Sequence, residues 1–152
     1  MTYVSQEARQ ELLDTIGDSI DELGVALAAL GEAYEQLDER TADTLEEQLF
    51  RPVQVAYGRA KRTYSGFADR FGLTTRGFEP AVRGIPSTGV KGFLENAVEA
   101  VGQADSDLAE LQDSMKPVEV GDAELRAGLA EIRELLGHLR ARTKELVRTF
   151  GR

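Results

Sequence analysis

Apolar residues recur along most of this chain at alternating steps of three and four. In the first long stretch Leu13, Ile16, Ile20, Leu23, Leu27, Leu30, Tyr34 and Leu37 follow that rule without a break. Such spacing lines one side of an α-helix and predicts a helix over about 5–38. The second stretch, about 42–71, carries Ala42, Leu45 and Leu49, then Val53, Tyr57, Ala60, Tyr64, Phe67 and Phe71. Its phase slips between Leu49 and Val53, where Pro52 sits. Proline removes a helical hydrogen bond and crowds the preceding turn, so a bend near Pro52 is expected. Thr41 or Thr44 can cap this helix, and Gly72 can end it.

Two further helices are expected over about 88–115 and 122–150. Val90, Leu94, Ala97, Val101, Ala104, Leu108, Leu111 and Met115 mark the third. Ser87 or Thr88 would cap it. Leu125, Leu129, Ile132, Leu136, Leu139, Thr143, Leu146 and Phe150 mark the fourth. Four long heptad-patterned helices, joined by short breaks and one long connection at 72–87, predict an all-α fold in a single domain spanning 1–152.

Charge bears on how the helices are arranged. The chain carries a net charge of −9, unevenly spread. Residues 1–50 hold thirteen acids and two bases, and residues 92–125 hold nine acids and one base. Residues 51–91 hold eight bases and two acids, and residues 126–152 hold seven bases and three acids. In a sequential ring each acidic helix would border only basic ones. A crossover arrangement would set the two acidic helices side by side. The expectation is therefore an antiparallel up-down-up-down four-helix bundle.

Three glycines interrupt this pattern. Gly17, Gly24 and Gly31 recur every seven residues in the first helix, each just after a seam residue. Interior helical glycine costs on the order of 1 kcal/mol against alanine. Three in register imply that a neighbouring backbone comes close. The run Leu23 to Gly31 is apolar on every side, so its outer face also needs cover. Gly24, Val25, Ala28, Ala29 and Gly31 are accordingly the expected interface of a homodimer or of a protein partner.

Candidate chemistry is sparse. There is no cysteine and one histidine, His138. Di-metal helical bundles draw on Glu-x-x-His pairs; here Glu134 stands four residues before His138, and no metal or other cofactor is implied. Haem is not expected either: Met115 lies on the seam, but His138 falls on the solvent side. Tyr34, Tyr57, Tyr64, Phe67 and Phe71 read as core. The connection offers Arg76 and Arg83, followed by Ser87, Thr88 and Gly89 at a helix start, where free N–H groups and the dipole attract anions. These five residues are the expected ligand site of an alternative reading, a bundle that binds a small anion or apolar ligand through residues 76–92.

Arg133 and His138, in the segment Arg133-Glu134-Leu135-Leu136-Gly137-His138, have an Arg-x4-His spacing that resembles the motif of HEPN ribonucleases. The resemblance covers six residues. It implies that Arg133 would steady a phosphate and His138 would transfer a proton. A solvated face, with Glu134 and His138 as a local pair, is the favoured account. The N-terminal residues form no signal peptide, and no apolar run approaches the ~20 residues that cross a bilayer. The reading is thus a cytoplasmic, non-catalytic protein of binding or assembly. Neither nucleic acid nor membrane is expected as a partner.

Overall fold

The structure is a computed structural model that describes residues 2–81 and 89–150, with only the backbone given at residues 2–4, 147 and 150. The expected caps Ser87 and Thr88 lie outside the described residues. Every regular element among those described is helical: α1 (Thr2–Glu35), α2 (Glu39–Leu45), α3 (Arg51–Phe71), α4 (Gly89–Asp113), α5 (Lys116–Glu119) and α6 (Ala123–Phe150).

The helix ends follow from local chemistry. Asp38, not Thr41 or Thr44, caps α2: its carboxylate accepts from the Thr41 N–H at 2.9 Å and the Thr41 hydroxyl at 3.0 Å. An aspartate at this position satisfies a donor that the helix leaves free. Asp122 does the same for α6, accepting from the Leu125 N–H at 2.9 Å. Gly72 ends α3 in the left-handed region, with φ 63°. Met115 ends the α4 region at φ 67°, where the chain turns into the short α5.

The phase slip at Pro52 has a specific form. The backbone stays helical from Glu39 to Phe71, but Glu46–Phe50 forms a π turn between α2 and α3. A π turn absorbs one extra residue, which is the offset between Leu49 and Val53. Both side chains are fully buried, so the insertion keeps one seam facing inward. Pro52 has no N–H to offer the Gln48 carbonyl four residues earlier. Arg142 of α6 donates to that carbonyl instead, at 3.3 Å.

Each of the four long helices packs on two others: α1 on α3 and α4, and α6 on α3 and α4. The α1–α4 pairing is the most extensive. Leu12, Leu13, Ile16, Leu23, Phe67, Phe93, Leu129 and Ile132 are among the fully or almost fully buried side chains between them. Removing such side chains from water stabilises the fold by about 1.5–3 kcal/mol each.

Directions follow from the cross-helix bonds. Gln6 near the start of α1 donates to the Phe71 carbonyl at the end of α3, at 2.7 Å. Arg9 donates to the Val120 carbonyl and Lys116 pairs with Glu11, both just beyond the end of α4. Helices α3 and α4 therefore finish at the same end of the molecule and run parallel. The order is up-down-down-up, which corrects the expected up-down-up-down ring. The two acidic helices are neighbours after all. Exposed like charges in water repel weakly and are screened. Both helices bury small side chains: Ser19, Ala26, Ala29 and Ala33 on α1, and Ala97, Ala100 and Ala104 on α4. Small side chains let two helices approach closely and gain dispersion contacts along their length.

Candidate functional site

With this topology the connection after α3 must travel the length of the molecule. Gly72 starts it: in its left-handed conformation its own N–H reaches the Ala68 carbonyl, and so does that of Leu73, at 3.0 Å. Left-handed backbone favours glycine. The chain reverses there, and residues 73–81 form an extended strap beside α1 and α3.

The strap is recognised mainly through its backbone. The Gln10 carboxamide pairs with both polar groups of Thr74: Oε1 accepts the Thr74 N–H at 2.9 Å, and Nε2 donates to the Thr74 carbonyl at 2.9 Å. Further along, the Tyr64 hydroxyl accepts the Arg76 N–H at 3.1 Å. A side chain that meets an extended backbone this way binds chain conformation rather than residue identity.

Three side chains add specificity. The Arg76 guanidinium faces the Asp21 carboxylate with Nη1–Oδ1 3.1 Å and Nη2–Oδ2 2.9 Å, and Asp18 lies 3.5 Å away. Phe78 meets the Tyr64 ring edge-to-face, with centroids 4.9 Å apart, and Arg76 stacks 4.7 Å from the Phe78 ring centre. Pro80 crosses Gly24. A Cβ at Gly24 would lie 3.4 Å from the Pro80 Cα and 3.6 Å from the Glu79 carbonyl oxygen. At Gly17 it would lie 3.0 Å from Arg76 Nη2. The glycines at 17 and 24 thus accommodate the strap, as a close neighbouring backbone requires at Gly24. Gly31 sits apart from it; a Cβ there would lie 3.9 Å from the Phe50 ring.

Electrostatics reinforce the latch. The Asp21 carboxylate, through its hydrogen bond, holds the Arg76 guanidinium further toward its charged form. Burial, opposed by Arg76 and aided by Asp21, Asp107 and Asp14, raises the Asp18 carboxyl above its ordinary 3.8. Tyr57 packs beside Gly24, under Lys61 at 4.9 Å from the ring centre. Its hydroxyl is buried and has no hydrogen-bond partner among the described residues. Burial first, then Asp21 and Glu79, push that phenol above its usual range.

This placement revises several expectations. Arg76 does not present an open fork to an anion, because Asp21 fills it. Arg83, Ser87 and Thr88 lie outside the described residues; Gly89 opens α4 at φ 70°. Of the expected self-association patch, Gly24 and Ala29 are buried within one chain, the first under the strap. Val25, Ala28 and Gly31 are half-buried, so the patch is not a free outer stripe. Arg133 is held by Asp105 at 3.1 Å and Gln112 at 3.0 Å, facing α4, while His138 is exposed. Five residues of helix separate them by about 140° of rotation, and the structure does not bring them together. Tyr57, Tyr64 and Phe67 are buried as core, whereas Tyr34 is exposed.

Gln10, Tyr64, Asp18 and Asp21 were not legible as site residues. The glycine register was the one sequence signal pointing at their surface. Among the described residues no group of His, Cys, Asp and Glu could hold a metal ion, and no helix is long and apolar enough to cross a membrane. No protein-family model, curated protein or solved structure matches this chain.

Proposed function

We propose that this chain is a non-catalytic four-helix-bundle protein of binding or assembly, and that the α1–α3 groove is its recognition surface for an extended protein segment. The observation that carries the reading is the two-way pairing of Gln10 with the Thr74 backbone. That contact would accept any extended chain of the right register. Around it, Asp18 and Asp21 select a cation, the Tyr64 ring selects an aromatic, and Gly24 admits a proline. Residues 73–81 occupy the groove from within the same chain, so an outside segment competes with a tethered one.

The test opens the groove and offers it a ligand. An Arg76→Glu, Phe78→Ala variant loosens the strap. A fluorescent synthetic peptide of residues 72–81 is then titrated against it by anisotropy. Saturable binding is expected, with at least a tenfold loss when the peptide itself carries Arg76→Glu. A folded, loosened variant that gives no saturable binding overturns the reading.

A further inference from the structure

We infer that the natural occupant of the α1–α3 groove in trans is the strap of a second copy of this chain, in a dimer that exchanges the α4–α6 halves about a hinge at Gly72. The inference rests on the groove reading above and names its partner.

The chain divides at Gly72 into two helical hairpins. One is α1 with α2 and α3; the other is α4 with α5 and α6. The long helices of one hairpin meet those of the other through the α1–α4 and α3–α6 pairings. Each hairpin alone would leave an apolar face uncovered. Leu12, Leu23 and Phe67 on one side and Phe93, Leu129 and Ile132 on the other are essentially removed from solvent. A second copy can supply the same cover, because an exchanged dimer rebuilds both pairings and both strap sites twice.

The strap itself supplies the fit. Its Arg76 meets Asp18 and Asp21, its Phe78 meets Tyr64, and its Pro80 crosses Gly24. Each copy carries one such groove and one such segment, which is the condition for a closed two-fold exchange. The hinge is local. Gly72 reverses the chain through one left-handed residue at φ 63°, and a change there alone redirects the strap away from its own α3 toward another copy. No side chain crowds that glycine: a Cβ at Gly72 would meet nothing within 4 Å. Its conformation is thus set by the backbone turn alone.

Two variants with matched defects test the exchange. Arg76→Glu spoils the strap and leaves the groove intact. Asp18→Arg with Asp21→Arg spoils the groove and leaves the strap intact. In an exchanged heterodimer both sites regain opposite charges, one in each sense. A third chain carrying all three substitutions regains them internally and serves as the folding control. The two variants are unfolded together in denaturant, refolded, and weighed by native mass spectrometry beside each variant alone. The expected result is a two-chain species with one copy of each, the paired fraction being at least tenfold that of either variant refolded alone. A mixture of single chains only, or two variants that stay unfolded when mixed while the triple variant folds, overturns the inference.

A second measurement addresses the hinge. Gly72→Val disfavours the left-handed turn and should raise the two-chain fraction by about tenfold per hinge. A Gly72→Val chain with the wild-type ratio of single to paired chains overturns the hinge. Peptide binding to the loosened variant without heterodimer formation refutes the exchange and leaves the groove reading standing. Loss of peptide binding refutes the groove itself.

Discussion

The α1–α4 and α3–α6 pairings join the two halves of the molecule through one apolar core but differ in the charges beside it. Helices α1 and α4 are both acidic, yet theirs is the most extensive contact. Both helices bury small residues beside their large ones, and just beyond the end of α4 the exposed Lys116 of α5 pairs with Glu11 at 3.1 Å. Helices α3 and α6 add ion pairs to buried apolar side chains that include Phe67, Leu129 and Ile132. Arg59 meets Glu131 at 2.7 Å, and Arg70 meets Asp122 at 2.5 Å and Glu124 at 2.8 Å. The two helices also touch closely at one point, where Gly128 faces the Thr63 side chain. The lesson is that charge sign did not choose the neighbours. Surface ion pairs contribute about 0–1 kcal/mol each, whereas a long dry contact between small side chains gains many small dispersion terms.

The contrast can be broken most severely at its close contacts. Gly128→Val would drive a side chain into the Thr63 hydroxyl and methyl, and a loss of about 3 kcal/mol is expected in urea unfolding. An unchanged midpoint would mean that α3 and α6 can separate freely. Ala104→Leu enlarges a side chain that is 0% exposed on the α4 stripe leading to Asp107 and Leu111. It should cost about 2 kcal/mol by the same measurement. A neutral result would show that the α1–α4 contact is not set by small residues.

The ionic side predicts a smaller effect with a pH signature. Arg70, by hydrogen bonding, holds the Asp122 carboxyl below its ordinary 3.8. A carboxyl lowered on folding contributes stability above pH 3.8, and that contribution fades as the pH falls below 3.8. Arg70→Gln should therefore cost about 1 kcal/mol at neutral pH, and the difference from wild type should shrink below pH 3.8. Asp18 has the opposite sign. Its carboxyl is raised, chiefly by burial, so acidification through and above 3.8 relieves rather than weakens the fold. Asp18→Asn should then be at least as stable as wild type at neutral pH, with the difference vanishing in acid. Thermal melts from pH 3 to pH 7 check both. The smallest effect is expected for Lys116→Ala, within about 0.5 kcal/mol, because its pair with Glu11 is exposed. A larger loss would give charge a leading place where α5, just beyond α4, meets α1.

Much of the local structure was legible in the order of residues. Heptad steps located the four long helices within a few residues, because burying one stripe per helix forces that period on the sequence. The extra residue between Leu49 and Val53 was visible too, although its form, a π turn with Arg142 on the Gln48 carbonyl, depended on a helix 94 residues away. Glycines at 17 and 24 announced a close neighbour without naming it. Arg76 stood out as a charged residue in a long connection, but its partners did not. Asp18 and Asp21 are two acids among thirteen in the first fifty residues, and nothing local distinguishes them.

Tertiary structure alone decided which helices are neighbours and where the strap lies. Helix formation is set by side chains three and four apart, so the sequence itself determines it. Neighbour choice is set by the fit of whole faces and by the path of one connection. The Ala-rich stripes of α1 and α4, the turn at Gly72 and the groove over Gly17 and Gly24 act together across 50 to 100 residues of chain. Their combined fit outweighs a charge pattern that is strong in sequence but weak in water.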